Sequence, residues 1–349
     1  GCVILPGFID GHAHVSGGGG EKGPSSRTPD LKVSEVISSG VTTLVGLLGT
    51  DSITRSVRDV LARIYAFRDS HLSAFMYTGA YQMPVPAETT ITGSPRTDVA
   101  LVDAIIGVGE ICVSDRRSSA PTAQQIASLA GEVHVAGLLS GKAGILHVHL
   151  GAGRGGMDLL REVVTEHDVP MRSLIPTHCG NRGKQVLNQC IQWMSDGGAC
   201  DFTADEPRWN LGAHDSSDSL NEIKVNYRDK ELIKRCTLSS DAHGSFSVFD
   251  ENGNVQNYGM FMQSNIANTL RRLVVHHGWT VDEAVSLCTS NVANVLQFAK
   301  KGRIQVGFDA DLIVFASIQS VFDLESLQYV FANGVLVKDG DRICKGMFE

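Results

Sequence analysis

Short apolar segments rich in β-branched residues alternate with longer segments of helical period, and this alternation constrains the fold more than any other feature. Eight of the short segments are predicted as strands, at residues 2–10, 41–48, 73–80, 109–115, 144–150, 173–179, 199–205 and 236–242. Strands that alternate with helices indicate parallel βα units. Eight such units predict an α/β fold of the (β/α)8 TIM-barrel type. An open doubly wound sheet is the alternative, although no G-x-G-x-x-G motif follows the first strand.

The end of the chain has a different pattern. Helical segments continue after the eighth strand, most clearly at 281–298, and stop near residue 300. The remaining sequence is β-type, and Asn333–Gly334 is the signal of a type I′ hairpin turn. We therefore predict a barrel over residues 1–303 and the strands of a small β-sandwich domain over residues 304–349. Because the chain begins inside an apolar β-type run, the N-terminal half of that small domain is expected to be missing from it.

The composition excludes two classes of partner. The 349 residues carry a formal net charge of −8, whereas a nucleic-acid partner requires a basic surface. No apolar run approaches the roughly 20 residues that a membrane helix needs. Eight cysteines are scattered without a Cys-x-x-Cys pair, which is typical of free thiols in a reducing compartment. We therefore expect a cytoplasmic protein.

Residues of the types that bind metals collect on the predicted strands. His12 and His14 follow the first strand, and residues two apart on a strand point to the same face. The carboxyl ends of parallel barrel strands gather at one mouth, where the active sites of this fold lie. The remaining candidates on these strands are Glu110, His149, His178 and Asp241. Imidazole and carboxylate groups favour Zn²⁺ and similar divalent ions, so the sequence predicts a metal centre.

Three residues beside these candidates receive a different interpretation. His147 shares a strand face with His149 and is predicted to be a packed, hydrogen-bonded core histidine rather than a ligand. His243 is predicted to be a loop residue near the site. Cys179 is interpreted as a packing residue, with thiolate ligation as the open alternative.

Several motifs resemble a known group of enzymes. The sequence PGFIDGHAH (6–14) resembles the first-strand signature of the amidohydrolase superfamily. Those proteins are metal-dependent hydrolases with a barrel and a small β-sandwich built from both chain ends. The similarity extends to the bacterial isoaspartyl dipeptidases, a family of metallopeptidases that cleave β-aspartyl dipeptides. It rests on the motifs GGGGEKGPSSRTPD (17–30), YTGAY (77–81), SDRRSSAP (114–121) and TLSSDAHGS (237–245).

The resemblance implies a particular metal centre. The family's ligand positions correspond to His12, His14, His149, His178 and Asp241, and its bridging ligand is a carboxylated lysine. Glu110 occupies the matching position here, which retains the carboxylate group but on a shorter side chain. A bulge beside Gly109 is expected to recover part of that length. We predict two zinc ions with Glu110 bridging them; a single ion, or other divalent ions, are the alternatives.

The resemblance also implies roles for residues that contact substrate and predicts hydrolysis of isoaspartyl dipeptides by a homo-oligomer. Asp241 corresponds to the family's catalytic acid and base, and Tyr81 to the phenol that polarises the scissile carbonyl. Glu21 corresponds to the acid that pairs with the substrate α-ammonium group. The other implied contacts are Gly19 and Thr50 for the aspartyl α-carboxylate, Arg117 and Arg182 for the free carboxylate end, and Ser245 as a further polar contact.

Two other functions fit part of the pattern. One is an amidohydrolase of the dihydroorotase, hydantoinase or deacylase type, which shares the metal ligands. Such an enzyme would not need an acid that binds ammonium together with two arginines that bind carboxylate. The other is an inactive barrel retained as a binding protein, and only the replacement of the bridging lysine by Glu110 supports it.

Overall fold

The computed structural model describes residues 1–205, 215–227, 231–249, 252 and 254–349. The strands in this part of the chain are β1 (Val3–Pro6), β2 (Phe8–Ala13), β3 (Val41–Gly46), β4 (Ser73–Thr78), β5 (Ile105–Val113), β6 (Ile145–Leu150), β7 (Leu174–Thr177), β8 (Cys200–Thr203), β9 (Cys236–Ser239), β10 (Ser245–Phe249), β11 (Val255–Met260), β12 (Leu312–Phe315), β13 (Leu327–Ala332), β14 (Val335–Asp339) and β15 (Arg342–Ile343). The α-helices are α1 (Val33–Ser38), α2 (Val57–Asp69), α3 (Pro95–Leu101), α4 (Ala123–Ser140), α5 (Asp158–Glu166), α6 (Lys184–Ser195), α7 (Ser216–Asn226), α8 (Asn265–Val275), α9 (Val281–Ser286) and α10 (Ser290–Val295).

Strands β2 to β9 form the predicted barrel. The first six pair in chain order in one parallel sheet, and β8 pairs with β9 in parallel. Backbone hydrogen bonds close the ring: Cys179 N donates to Asp201 O at 3.1 Å, and His14 N donates to Ala242 O at 2.8 Å. Residues of β2, β3, β5 and β6 are buried throughout, as expected where helices cover the outside of a parallel sheet. The predicted α/β barrel fold is confirmed.

The first predicted strand was wrong in one respect, because the segment 2–10 contains two strands. β1 pairs in antiparallel fashion with β12, while the first barrel strand begins only at Phe8. Gly7 separates the two strands and donates its N–H to Asp311 O at 2.8 Å. Both strands are apolar, so the sequence pattern alone did not separate them.

Strand β1 and the C-terminal strands form an antiparallel sheet in the order β1-β12-β13-β14-β15. Asn333 and Gly334 link β13 to β14 with φ angles of 49° and 79°, as the predicted type I′ turn requires. The sheet thus takes strands from both ends of this chain. The division into domains at residues 303 and 304 stays a prediction.

The helix predicted over residues 281–298 is divided into α9 and α10. The carbonyl groups between the two helices bond to barrel strands instead of continuing the helix: Leu287 O accepts from Leu238 N at 2.9 Å and Cys288 O from Ile9 N at 2.7 Å. These two bonds tie the segment between α9 and α10 to the barrel strands, where the helix is interrupted. Separately, no helix in the described ranges combines the length and apolar character that a membrane crossing demands.

An antiparallel hairpin, β10–β11, follows the last barrel strand, and the sequence analysis did not predict it. It lies directly after the segment that carries Asp241, so it borders the barrel mouth. The signal for it is the alternating pattern of SFSVF (245–249) and the turn-favouring sequence ENGN (251–254).

Candidate metal centre and active site

The six predicted metal ligands lie together at the mouth of the barrel. Each is at most 5% exposed. Glu110 lies at the centre of the group, and its two carboxylate oxygens face different histidines. Oε1 is 3.6 Å from His12 Nε2 and 3.7 Å from His14 Nε2. Oε2 is 3.2 Å from His149 Nδ1 and 3.3 Å from His178 Nε2, so this one carboxylate spans two pairs of imidazoles.

Asp241 completes the cluster on the side of the first pair. Its Oδ1 lies 3.3 Å from His12 Nε2 and 3.0 Å from His14 Nε2. Two overlapping sets, one of His12, His14 and Glu110 and the other of Glu110, His149 and His178, hold their ligand atoms within 4.8 Å of one another. These are the ligand types of divalent-metal sites.

The cluster has the chemistry of a cation site. His12 Nε2 and Asp241 Oδ1 are buried and close to each other, but neither is aligned for a hydrogen bond, although buried polar atoms are normally paired. Burial alone lowers the pKa of His12, yet the charges of Glu110 and Asp241 raise it to about 9. Burial likewise raises the pKa of Glu110, but the neighbouring histidines hold it well below its usual value. The site therefore attracts positive charge, and a divalent ion satisfies both the charge and the unpaired atoms.

The backbone around Glu110 has the predicted irregularity. The pairing register between β5 and β6 shifts between Val108 and Ile111. Gly109 allows the two strands to approach, since a Cβ at this position would lie 2.8 Å from the His147 carbonyl oxygen. The bulge expected beside Gly109 is thus present, and it brings the short glutamate side chain among the four histidines.

Two ligands lie on left-handed backbone just beyond their strands. His178 has a φ of 64° and follows β7, and Asp241 has a φ of 53° and follows β9. Non-glycine residues in this region cost on the order of 1 kcal/mol and cluster at functional sites. The backbone turn directs both side chains over the barrel axis, where His178 Nδ1 lies 2.6 Å from Thr203 Oγ1. Burial and the neighbouring His149 lower the pKa of His178 to about 3, which leaves its imidazole neutral at physiological pH.

The predicted substrate residues all line one cavity that opens over the metal cluster. The residues in question are Gly19, Glu21, Thr50, Tyr81, Arg117, Arg182 and Ser245. The centre of this rim is the carboxylate of Glu21, which lies 3.2 Å from Thr50 Oγ1, 3.2 Å from Arg117 Nη1 and 2.9 Å from Ser245 Oγ. The structure thus brings the predicted residues together, while their individual roles stay predictions.

Tyr81 and the two arginines connect the rim with the metal cluster. The Tyr81 hydroxyl lies 2.8 Å from His149 Nδ1. Burial raises the pKa of this phenol well above its usual value, so it remains a hydrogen-bond donor. The Arg117 guanidinium stacks over the Tyr81 ring, 5.3 Å from its centroid. Arg182 donates from Nε to Leu150 O at 2.8 Å, and burial together with the charge of Arg117 lowers its pKa.

The sequence analysis missed several residues of this site, and Asp115 and Tyr258 are two that contact the predicted ones. Asp115 lies 3.1 Å from His149 Nε2 and forms a two-fold hydrogen bond with Arg117. Tyr258, on β11, places its hydroxyl 3.0 Å from Glu21 Oε2 and accepts the N–H of Gly20 at 2.9 Å. Asp115 stands inside a motif that had been quoted, but no spacing rule pairs it with His149. Tyr258 belongs to the hairpin that was not predicted.

The interpretations of the neighbouring residues are consistent with the structure. His147 is buried, and its Nε2 lies 2.9 Å from His12 Nδ1, which confirms a hydrogen-bonded core histidine. His243 Nδ1 lies 2.8 Å from Pro29 O, outside the ligand cluster. Cys179 is buried beside Cys190 and Cys200, and the three sulfur atoms lie within 4.8 Å of one another. Its interpretation as a packing residue stays a prediction, with thiolate ligation as the open alternative.

A closed parallel barrel with four imidazoles and two carboxylates at its mouth defines a metal-dependent hydrolase. A model of the amidohydrolase family matches residues 220–337. Among solved structures, the chain is similar to a β-aspartyl dipeptidase from the thermophilic, keratin-degrading Fervidobacterium islandicum AW-1 in complex with β-Asp-Leu dipeptide. The identity is 37%, over 100% of this chain and 88% of that one, with a TM-score of 0.91. A second structure of β-aspartyl dipeptidase from this organism is 36% identical, over 98% of this chain and 85% of that one, with a TM-score of 0.86.

A more distant structure matches in fold only. The N-acetylglucosamine-6-phosphate deacetylase of Pasteurella multocida is 16% identical over 96% of this chain and 86% of that one, with a TM-score of 0.57. The two β-aspartyl dipeptidase structures, at 37% and 36% identity, match nearly all of the present chain and most of their own chains. The chain therefore belongs to the amidohydrolase family, in the group of the β-aspartyl dipeptidases.

Proposed function

We propose that this chain hydrolyses the β-aspartyl bond of isoaspartyl dipeptides and releases aspartate and a second amino acid. The observation that carries the proposal is the pairing of Glu21 with Arg117 in the cavity above the metal cluster, at 3.2 Å. A β-aspartyl dipeptide carries an ammonium group beside one carboxylate and a second carboxylate at its far end. A cavity with an anion to bind ammonium and guanidinium groups to bind carboxylate matches this distribution of charge.

The proposed metal centre holds two zinc ions, with Glu110 as the bridging ligand. The division of its oxygens between His12 and His14 on one side and His149 and His178 on the other supports two ions rather than one. Elemental analysis of protein purified without chelator is expected to give two zinc ions per chain. A stoichiometry of one at saturating zinc would contradict the bridging role.

The side chains at the mouth of the barrel have separate proposed roles in the reaction. The chemistry that divalent ions supply in such sites is the activation of water near neutral pH. Asp241 accepts the proton of that water and then donates it to the departing amine. Its pKa is low because His12 and His14 offset the effect of burial, so it begins the reaction as a base. The Tyr81 hydroxyl donates a hydrogen bond to the oxygen of the scissile carbonyl as negative charge develops there.

Substrate orientation depends on the rim. Glu21 pairs with the α-ammonium group, while the backbone of Gly19 and the hydroxyl of Thr50 contact the aspartyl α-carboxylate. Arg117 and Arg182 bind the terminal carboxylate, and Ser245 supports Glu21, whose oxygens it approaches to 2.9 and 3.0 Å. A cyclic amide has no ammonium group for Glu21, which argues against the dihydroorotase and hydantoinase types.

The test compares release of leucine from β-Asp-Leu and α-Asp-Leu by the zinc-loaded protein. A strong preference for the β-linked dipeptide is expected. Equal cleavage of both dipeptides would contradict the proposed substrate. Absence of cleavage, together with hydrolysis of a hydantoin or an N-acyl amino acid, would favour the other amidohydrolase types, and absence of all activity would favour an inactive barrel.

The proposal also includes a cytoplasmic location and a homo-oligomeric state. All eight cysteines lie in the described part of the chain and are free thiols, which supports the proposed cytoplasmic location. The homo-oligomeric state stays a prediction, and sedimentation of the purified protein measures it.

A further inference from the structure

A single carboxylate, Asp115, touches both halves of the active site. Its Oδ2 lies 3.1 Å from His149 Nε2 and 2.9 Å from Arg117 Nη2. Its Oδ1 accepts the Nε–H of Arg117 at 3.0 Å and the backbone N–H of the same residue at 2.9 Å. The side chain of Asp115 is 11% exposed, that of His149 3% and that of Arg117 16%. These four contacts of the carboxylate thus all involve either His149, a metal-ligand candidate, or Arg117, a substrate-binding candidate.

The contact with Asp115 supports the tautomer of His149 that leaves Nδ1 available to a metal. An ionised carboxylate only accepts hydrogen bonds, and both nitrogens of His149 face one: Nε2 faces Asp115 and Nδ1 faces Glu110. A cation held by Glu110 would take the lone pair of Nδ1, and Nε2 would then keep the proton and donate it to Asp115. Nδ1 then presents its lone pair, and it is this nitrogen that lies 3.2 Å from Glu110 Oε2. Carboxylates that accept the second N–H of a histidine ligand fix its tautomer and ring orientation.

The same carboxylate determines the orientation of Arg117. Two of the guanidinium nitrogens, Nε and Nη2, are engaged by Asp115. The remaining nitrogen, Nη1, points into the cavity, where it lies 3.2 Å from Glu21 Oε1 and 3.4 Å from Thr50 Oγ1. A forked pairing of this type holds the planar guanidinium in one plane, so Asp115 selects the edge of Arg117 that a substrate carboxylate meets.

The backbone is shaped for this contact. Gly151 follows β6 two residues after His149, and a Cβ at this position would lie 2.5 Å from Asp115 Cβ. Only glycine permits the two segments to approach this closely. The preceding residue, Ser114, has a φ of 54° and donates from Oγ to Gly156 O at 2.7 Å. The loop that carries Asp115 is therefore held against the end of β6 beside His149.

We infer that Asp115 is a positioning residue that links substrate-carboxylate binding by Arg117 to metal binding by His149. The part of the inference that concerns Arg117 and the substrate carboxylate rests on the proposed function. The part that concerns His149 and the metal ion rests on the metal cluster alone. Loss of this carboxylate changes two quantities at once: the affinity for the metal ion that His149 binds, and the Michaelis constant for the dipeptide.

The experiment measures zinc affinity and steady-state kinetics in the full-length chain for Asp115→Asn, Arg117→Gln and the double variant. Asp196→Asn is the matched control, because it removes an aspartate–arginine pair of similar length, 3.0 Å from Arg161, and neither residue lines the cavity over the metal cluster. Zinc affinity is measured by competition with a chelating dye and without substrate. Asp115→Asn is expected to weaken binding of one ion by about 10- to 100-fold, and Asp196→Asn to leave it unchanged. Arg117→Gln is expected to weaken it by less than Asp115→Asn, because Arg117 Nη2 also lies 3.3 Å from His149 Nε2.

The kinetic half is measured with β-Asp-Leu at saturating zinc. Asp115→Asn and Arg117→Gln are each expected to raise KM, and the double variant is expected to raise it no further than the larger single effect, because linked residues are not additive. Additive effects on KM would overturn the link, and so would an unchanged KM in Asp115→Asn. An unchanged zinc affinity in Asp115→Asn would overturn the inference, whether or not the wild-type chain cleaves β-Asp-Leu. Failure of the wild-type chain to cleave β-Asp-Leu would refute the proposed function separately.

A second variant keeps the test valid if Asp115→Asn does not fold. Gly151→Ala retains the carboxylate but places a methyl group against the Asp115 Cβ, which moves it from His149. Weaker zinc binding together with a higher KM is expected in this variant also. Wild-type values for both quantities in folded Gly151→Ala would contradict the need for this close placement and overturn the inference.

Discussion

The metal cluster and the rim above it are built in different ways, although they form one cavity. The cluster consists of side chains at or just beyond the ends of barrel strands, each at most 5% exposed. The rim consists of loop and hairpin residues such as Glu21, Thr50 and Tyr258, which hold one another by hydrogen bonds. Strand ends in a closed barrel are held by the hydrogen bonds of the sheet. The positions of the loop residues in the rim depend instead on the hydrogen bonds that each makes with its neighbours. This contrast predicts that changes in the cluster affect catalysis and changes in the rim affect substrate binding.

Removal of the metal tests the cluster most severely. Prolonged treatment with a chelator is expected to abolish hydrolysis of β-Asp-Leu, because the proposed reaction depends on a divalent ion to activate water near neutral pH. It is also expected to lower Tm by about 5 °C or more, since a cation that binds only the folded state stabilises it. Thermal unfolding with and without added zinc checks this. Recovery of both quantities on zinc addition is the control, and an unchanged Tm would contradict a buried cation site.

The variant Glu110→Gln separates the two sides of the cluster. Loss of the charge that faces both histidine pairs is expected to reduce zinc content from two ions to one and kcat by about 10²- to 10³-fold. Metal analysis and steady-state kinetics are the measurements. Glu222→Gln, which removes a surface ion pair with Lys184, is the control variant. Full zinc content in Glu110→Gln would show that the bridging carboxylate is dispensable.

The variant Glu21→Gln tests the rim with a nearly isosteric change. Hydrogen bonds to charged groups contribute about 1.5–3 kcal/mol, so KM for β-Asp-Leu is expected to rise by about 10- to 100-fold. Zinc content and kcat are expected to stay close to wild type, because Glu21 binds substrate in the ground state and in the transition state alike. A decrease in kcat at unchanged KM would contradict the assignment of the rim to binding.

The smallest expected effect is that of Tyr258→Phe. This variant removes a hydroxyl that contacts Glu21 and Gly20 and not the substrate itself, so only part of the bond to the Glu21 carboxylate, about 0.5–1.5 kcal/mol, is expected to affect substrate binding. KM is expected to rise by about two- to tenfold. Tyr65→Phe, at a half-exposed position on α2, is the control. An unchanged KM would show that the Tyr258 hydroxyl is not needed to hold Glu21, and would leave Ser245 as the residue of the β10–β11 hairpin that contacts it.

The sequence predicted the metal cluster well because its signals are local. Two histidines separated by one residue share a strand face wherever that strand lies. The alternation of strands and helices then predicts a barrel, and the barrel brings His149, His178 and Asp241 to the same mouth. The rim residues were predicted from resemblance to a family and not from spacing, and composition alone would make the glycine-rich segment before Glu21 a surface loop.

Where the sequence analysis failed, the deciding contacts join distant parts of the chain. The boundary between β1 and β2 depends on pairing with a strand more than 300 residues away. The division of the helix predicted over 281–298 depends on carbonyl groups that bond to β2 and β9. The local signals are weak: the turn dipeptide Pro6–Gly7 marks the first boundary but does not show that β1 joins another sheet, and helix-forming residues lie on both sides of the second.

The sequence by itself determined the fold class, the ligand types and the strands that carry them, because periodicity and strand-end placement are properties of short segments. Only the tertiary structure decided how the rim is assembled. Glu21 meets Arg117 across 96 positions of sequence and Tyr258 across 237, and Asp115 joins Arg117 to His149. Such contacts depend on where the barrel places each loop, and the loops acquire neighbours only once the barrel has closed.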